Sequence, residues 1–464
     1  MPFEMERASG EALLTLEASE AMRRFRAEIK APDDQDHMPP QVAVVERNSW
    51  VPRRVIAIDG STITTPLRLG APGADASLLK VSVLLIDLKE IMAVKPDEIP
   101  SPALFREMEQ VETLDAVLPG ANVVRKDRVE DTPSAFFRES VHEILSAKID
   151  QSWETLADTL SAITENRTTS RSECPIDGCE ETMRPGKGRY SCHCHRAEQL
   201  FESDALRFVE RFNPAGSNGE AHGEVRHLLE VLALFNILRF FAADPERIGL
   251  LRDNVFILDG PLAMFGHAAW LAPYLRTELG RINGLCRNEG GFDLALFGYE
   301  KSGQFVTHFD AIDFDEELGP RKVFAARTVI TPDATYINRR VTLRPEGAKV
   351  HGDITYFGRK VFYKTKSSDH AVITTAMVDD ASRNFRRNDA ACYPRLGDCL
   401  NVLDELSTYL YRDGFMPLVR AHAHAAIPLQ RGTNILRKLF ADGNKPPIVS
   451  EGPASSRAVV AGRQ

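Results

Sequence analysis

The stretch Asn254–Gly266, NVFILDGPLAMFG, constrains this chain more than any other. Four apolar residues, Val255 to Leu258, run directly into Asp259 and then Gly260-Pro261. A run this short, closed by a turn signal, reads as a buried strand that delivers an aspartate where it emerges. The same construction stands about two hundred residues earlier in Val55–Ser61, VIAIDGS, where Asp59 follows the strand and lies with Ser61 at its end. Two buried strands that each deliver an aspartate at such an exit are a common way to assemble an acid pair for divalent cations. Between them, Glu230 sits in HLLEVLALFNILRFF, a helix so apolar that an unpartnered carboxylate in it is costly to bury. Asp59, Glu230 and Asp259 are therefore the first candidate metal ligands.

The chain has 464 residues, enough for two or three domains, with 43% hydrophobic and 27% charged residues, as in a globular protein. The opening MPFEMERASGE carries no apolar signal segment, and no run approaches the roughly 18 apolar residues of a membrane span, so a cytoplasmic protein with no membrane partner is expected. A net charge of −9 argues against coating nucleic acid through bulk charge, but leaves room for a local basic groove.

Four of the seven cysteines, Cys174, Cys179, Cys192 and Cys194, fall within 21 residues. The order Cys-x4-Cys, a Gly/Pro/Lys-rich hairpin segment, then Cys-x-Cys fits two knuckles converging on structural Zn²⁺. The second knuckle is tight, so His193 or His195 is an alternative to one of the sulfurs. Such a closed site is structural, and the module is too small to hold itself with a core.

Residues 11–30 place Leu14, Ala18, Met22, Phe25 and Ile29 on one face of an amphipathic helix, a surface for the chain's own core or for a dimer contact. Residues 33–40 read as linker, 80–88 as a strand, and 101–150 as polar helix interrupted by a loop at LPGANVVRK. Leu294–Phe297 reads as a strand ending in Gly298, with Lys301 in the turn beyond, either a phosphate contact or a solvated lysine. In DITYFGRKVFYKTK, Lys360, Phe362, Lys364 and Lys366 share one strand face, with Arg359 on the other. That pattern suits backbone tracking of single-stranded nucleic acid, and equally a solvated sheet face. His422 and His424 point the same way on a strand and diverge on a helix, and an imidazole beside three carboxylates would complete a metal shell or act as general acid or base. Residues 441–464 are Pro-, Gly-, Ser- and Ala-rich and expected to be disordered.

With these pieces in order, the chain resembles the NurA nuclease family in its bacterial, zinc-ribbon-bearing form. The stretches that carry the resemblance are AIDGS (57–61), the cysteine cluster followed by DALRFVERF (204–212), LLEVLAL (228–234), FILDGPLAMFG (256–266), GYEKSG (298–303), YFGRKVFYKT (356–365) and AHAAIPL (423–429). The resemblance implies an α/β, RNase H-like core of mixed β-sheet flanked by helices. The core would occupy 51–130 and 216–440, interrupted by a helical and zinc-ribbon insertion at 131–215. It implies Mn²⁺- or Mg²⁺-dependent DNA hydrolysis by two metals, roughly 3.5–4 Å apart, with Asp59 bridging and Glu230, Asp259 and His424 completing the shells. His424 is assigned because AHAAIP aligns from Ala423 and leaves His422 outside; Tyr411, the nearest tyrosine, is left unassigned. Lys301 and the lysines at 360–366 would position the DNA backbone. The implied partners are a second copy of the chain and a HerA-type hexameric ATPase, in DNA-end processing or defence against phage. The competing reading is a non-catalytic DNA-binding adaptor that recognises DNA through the zinc ribbon.

Overall fold

The computed structural model of the chain describes residues 11–29, 39–67, 73–88, 109–126, 128, 131–165, 167, 172–176, 178–183, 186–192, 199–345, 347–408 and 414–426. The linker at 33–40 lies mostly, and the expected disordered tail at 441–464 wholly, outside them.

The strands in chain order are β1 Val42–Ala43, β2 Arg54–Pro66, β3 Asp75–Asp87, β4 Glu109–Pro119, β5 Ser172–Glu173, β6 Thr182–Met183, β7 Arg189–Ser191, β8 Gln199–Phe201, β9 Asn254–Asp259, β10 Ala295–Glu300, β11 Val329–Ile330, β12 Gly358–Lys364, β13 His370–Ala376, β14 Ser407–Thr408 and β15 Gly414–Phe415. Nine of them form one mixed sheet in the order β1-β11-β12-β13-β10-β9-β2-β3-β4. β2, β3 and β4 are an antiparallel meander, while β9 pairs parallel to β2 and β10 parallel to β9. Three meandering strands followed by two parallel ones reached through helices is the RNase H-like arrangement expected from the sequence. The remaining four strands extend it antiparallel beyond β10.

Strand alternation decides what each face buries. Ile56 and Ile58 of β2 join a core with Leu228, Leu232 and Phe235 of helix Gly219–Ala242 and with helices Pro133–Leu145, Leu156–Ile163 and Ala272–Gly290. Val55 and Ala57 face the opposite side, against Leu400 and Leu403 of helix Leu396–Leu406 and Leu418 and Ala421 of helix Met416–Ala425. The Glu230 helix is apolar nearly all round because it is sandwiched between the sheet and the outer helices.

Three expectations need correction. β2 does not end at Asp59 but runs on through Thr62–Thr65, whose β-branched residues keep pairing with β3 while β9 stops alongside. Residues 109–119 are strand, not helix: Leu114, Ala116 and Leu118 are buried at a period of two. The amphipathic N-terminal stretch breaks at Ser19, whose hydroxyl caps the second of two short helices, Glu11–Glu17 and Glu20–Glu28. Leu14, Phe25 and Ile29 are exposed, so nothing among the described residues covers them.

Candidate functional site

Asp59 and Asp259 come together because β2 and β9 run parallel in register, Ile58 beside Leu258, so that both aspartates follow at the same level. The two side chains are hydrogen-bonded to each other, and Asp59 is 3% exposed. Burial first, then repulsion from Asp259 and Glu230, pushes the Asp59 carboxyl up to about 8, against the opposing pull of Lys301. Glu230 arrives from the other face of the sheet, where its carboxylate lies directly over Gly60; a Cβ there would sit 2.5 Å from Glu230 Oε1. Only glycine lets the helix glutamate approach the strand this closely. On β10, Gly298 plays the same part for the Asp259 turn, since a Cβ there would meet the Gly260 carbonyl oxygen at 2.3 Å.

Each acid has a cationic or ionisable neighbour. Lys301 Nζ donates to Asp259 Oδ2 at 2.8 Å. Arg226, one helical turn before Glu230, donates to Glu230 Oε1 and, at 3.1 Å, to the Gly60 carbonyl. His227 Nδ1 lies 3.5 Å from Glu230 Oε2, and its Nε2 2.9 Å from the Ala263 carbonyl. His422 Nδ1 lies 2.9 Å from Asp59 Oδ2.

That last contact corrects the histidine assignment. Residues 416–425 are helical, so the two rings diverge: His422 faces Asp59, while His424 Nε2 lies 2.9 Å from Glu109 Oε2, which also binds Arg420. The helix is fastened over the acids by two strand hydroxyls: Ser82 Oγ donates to the Ala421 carbonyl at 3.0 Å, and Ser61 Oγ to that of Ala425. Glu109 and Arg226 carried no sequence signal as site neighbours, apart from the spacing of Arg226 and Glu230 that pairs charges along a helix.

The lysine strip is corrected too. Every residue of β12 is buried. Lys360 Nζ contacts the Glu300 carboxylate and lies 4.1 Å from the centroid of Phe305, and burial pulls its ammonium well below the ordinary lysine value. Lys364 Nζ donates to Asp313 Oδ2 at 2.8 Å and to the carbonyls of Arg321 and Phe324. Arg359 donates to the carbonyls of Ser382, Asn384 and Arg387. Lys366, beyond the strand end, pairs with Glu405 at 2.9 Å. The alternation was read correctly, but helix Gln304–Ile312 and helix Leu396–Leu406 cover the two faces.

In the cysteine module, the turn of the β5–β6 hairpin holds Cys174 and Cys179, and Cys192 follows β7 of the β7–β8 hairpin. The three sulfurs lie within 4.8 Å of one another, the only such metal-ligating group among the described residues, and Cys179 and Cys192 are 3.8 Å apart. Zn–S bonds of about 2.3 Å in a tetrahedron require sulfurs about 3.8 Å apart, so the donor set fits zinc. Burial and the neighbouring thiols push the Cys174 thiol up to about 12, a state that only a bound cation makes anionic at neutral pH. Cys194, His193 and His195 lie outside the described residues. The module is fixed to the core by Arg189 on Glu139 and by Arg138 on Asp204 and the Gln199 carbonyl.

The sheet order and the acid pair define an α/β protein with its acids where parallel strands end, the usual place for a site in such sheets. No family model and no curated protein matches the chain. Among solved structures, the NurA nuclease from Sulfolobus solfataricus is similar at a TM-score of 0.32 and 11% identity, over 94% of this chain and 97% of that one. No helix among the described residues is long and apolar enough to cross a membrane.

Proposed function

We propose that the chain is a metal-dependent deoxyribonuclease that hydrolyses phosphodiester bonds. The observation that supports this best is the hydrogen-bonded pair of a buried Asp59 and a half-buried Asp259 at the end of adjacent parallel strands, with Glu230 beside it. Carboxylates so crowded that one is held protonated near neutral pH suit divalent cations, which neutralise the mutual repulsion. Asp59 and Asp259 would hold Mn²⁺ or Mg²⁺, with Glu230 joining by leaving Arg226. When bound, the cations supply an activated water and stabilise the leaving oxygen, the two-metal scheme.

The chain's own groups do the rest. Lys301, whose side chain is 40% exposed, turns from Asp259 to a non-bridging phosphate oxygen. His422, half-exposed and anchored by Asp59, accepts or donates a proton at the scissile phosphate. Arg226, freed from Glu230, offers a second cation to the developing charge.

The same reading includes pairing of two copies and docking on a HerA-type ATPase hexamer, in end processing or phage defence; the exposed Leu14, Phe25 and Ile29 support an external partner. The test is end-labelled single- and double-stranded DNA incubated with the purified chain in Mn²⁺ or in EDTA. Mn²⁺-dependent shortening, lost in Asp259→Asn, is expected. DNA binding without cleavage in either metal would favour the adaptor reading instead.

A further inference from the structure

With the lysines of β12 buried, a nucleic-acid strand needs another basic surface, and one lies beside the cysteine module. A cleft of about 350 Å³ separates the segment that leads into β7, at Gly186 and Lys187, from helix Leu156–Ile163 and the Trp270 turn. Arg167 lies in it with its guanidinium carbon 3.6 Å from the centroid of the Trp270 ring. No carboxylate among the described residues is within ion-pair distance of this guanidinium, and burial without a compensating acid lowers its ordinary value. Two glutamates share the lining: Glu202 accepts the Gly188 N–H at 2.9 Å, and Glu165 forms no ion pair with Arg167. On the facing wall Lys187 is exposed in the bend just before β7.

Most arginines near this module are committed: Arg138 to Asp204, and Arg125, Arg128 and Arg189 to Glu139. Among the described residues there, Arg167 is the exception, stacked on an indole that supports its guanidinium at the cleft. A second cation on the same lining, which Thr164 and Ser161 share, matches the oxygens of a phosphodiester. Trp270 also lies only eleven residues after Asp259, on the segment leading away from the acids.

We propose that this cleft binds the phosphodiester backbone of a nucleic-acid strand, with Arg167 and Lys187 as the phosphate clamp and Trp270 as the support that orients Arg167. The inference rests on the nucleic-acid reading above and adds a contact distant from the acids, built jointly by the zinc module and the core. The module then has a second use besides its own fold: its metal holds the Lys187 turn against the cleft.

The test is fluorescence anisotropy of a labelled 20-nucleotide single strand with the zinc-loaded full chain in citrate-free buffer without divalent cations, over a series of salt concentrations. Arg167→Ala with Lys187→Ala should weaken binding about tenfold and flatten the salt dependence by roughly 0.7 in log–log slope, the one phosphate that the two cations clamp. Arg167→Lys should retain part of the affinity. Unchanged zinc content and melting temperature certify the fold, and Lys187→Ala decides alone should the Arg167 variant fail to fold, because Lys187 is exposed. Affinity and slope unchanged in the folded double variant would overturn the proposal. Displacement of the strand by micromolar inorganic phosphate would also overturn it, making the cleft a free-anion site. A chain that binds through Arg167 and never cuts DNA contradicts the proposed nuclease and leaves the cleft standing; one that cuts, yet binds indifferently to both variants, contradicts the cleft alone.

Discussion

His422 Nδ1 lies 2.9 Å from Asp59 Oδ2, joining a C-terminal helix to a strand 363 residues earlier in the chain. On the proposed function, this contact gives the proton-handling role to His422 and a structural one to His424. His422→Ala should lower kcat by about a hundredfold or more, with a changed acidic limb of the pH–rate profile. His424→Ala should instead loosen the Glu109–Arg420 cluster, lowering stability by about 1–2 kcal/mol while leaving the shape of that profile intact. The opposite pattern would restore the assignment that sequence alignment suggests.

Asp59 carries a pH signature. Its folded-state value of about 8 lies above the ordinary 3.8, so the native state holds a proton that the unfolded chain releases. The stabilisation from this group is full below pH 3.8 and is lost as pH rises through about 8. In EDTA, Asp59→Asn should therefore match the wild type in melting temperature near pH 3.5 and exceed it at pH 8.5. The ceiling on the difference is about 1.4 kcal/mol for each pH unit in that window. Added Mn²⁺ should raise the wild type and leave the variant unmoved. Equal melting temperatures at both pH values would show that the carboxylates are not crowded.

How much of this was legible follows from which signals are local. β9 and the Asp259 turn were plain because an apolar run, an acid and Gly-Pro occupy consecutive residues. β4 was misread because its polar residues, the exposed Glu112 and Asp115 and the Arg420-paired Glu109, conceal a period-two core of Leu114, Ala116 and Leu118. The lysines of β12 had the right parity and the wrong surroundings: what covers them is Glu300, Asp313 and Phe305, up to 60 residues away in sequence. The histidines were undecidable until the segment was known to be helix, because only the backbone tells whether residues two apart share a face.

The buried lysines give a sharp contrast with a DNA-tracking surface. Lys364→Ala leaves Asp313 buried without its ammonium partner and should cost about 3–5 kcal/mol in denaturant unfolding. The salt dependence of DNA binding should not change. A stability loss under about 1 kcal/mol together with a flatter salt slope would return this strand to the surface.

The cysteine module should prove metal-dependent. Cys174→Ser or Cys192→Ser should release about one zinc per chain and lower the melting temperature, since a structural zinc site contributes folding energy directly. The core at this place consists of little more than Ile176, Leu200 and the cysteines themselves. Freshly purified protein that contains no zinc by elemental analysis would contradict this.

The central claim is that Asp59 and Asp259 hold the catalytic divalent cation, and an anomalous-difference map at the manganese edge from Mn²⁺-soaked crystals tests it most directly. The account predicts a peak bonded to a carboxylate oxygen of each aspartate, with Glu230 rotated off Arg226 toward it. Manganese bound elsewhere on the chain, with no peak between Asp59 and Asp259 and the two side chains still hydrogen-bonded to each other, would contradict it.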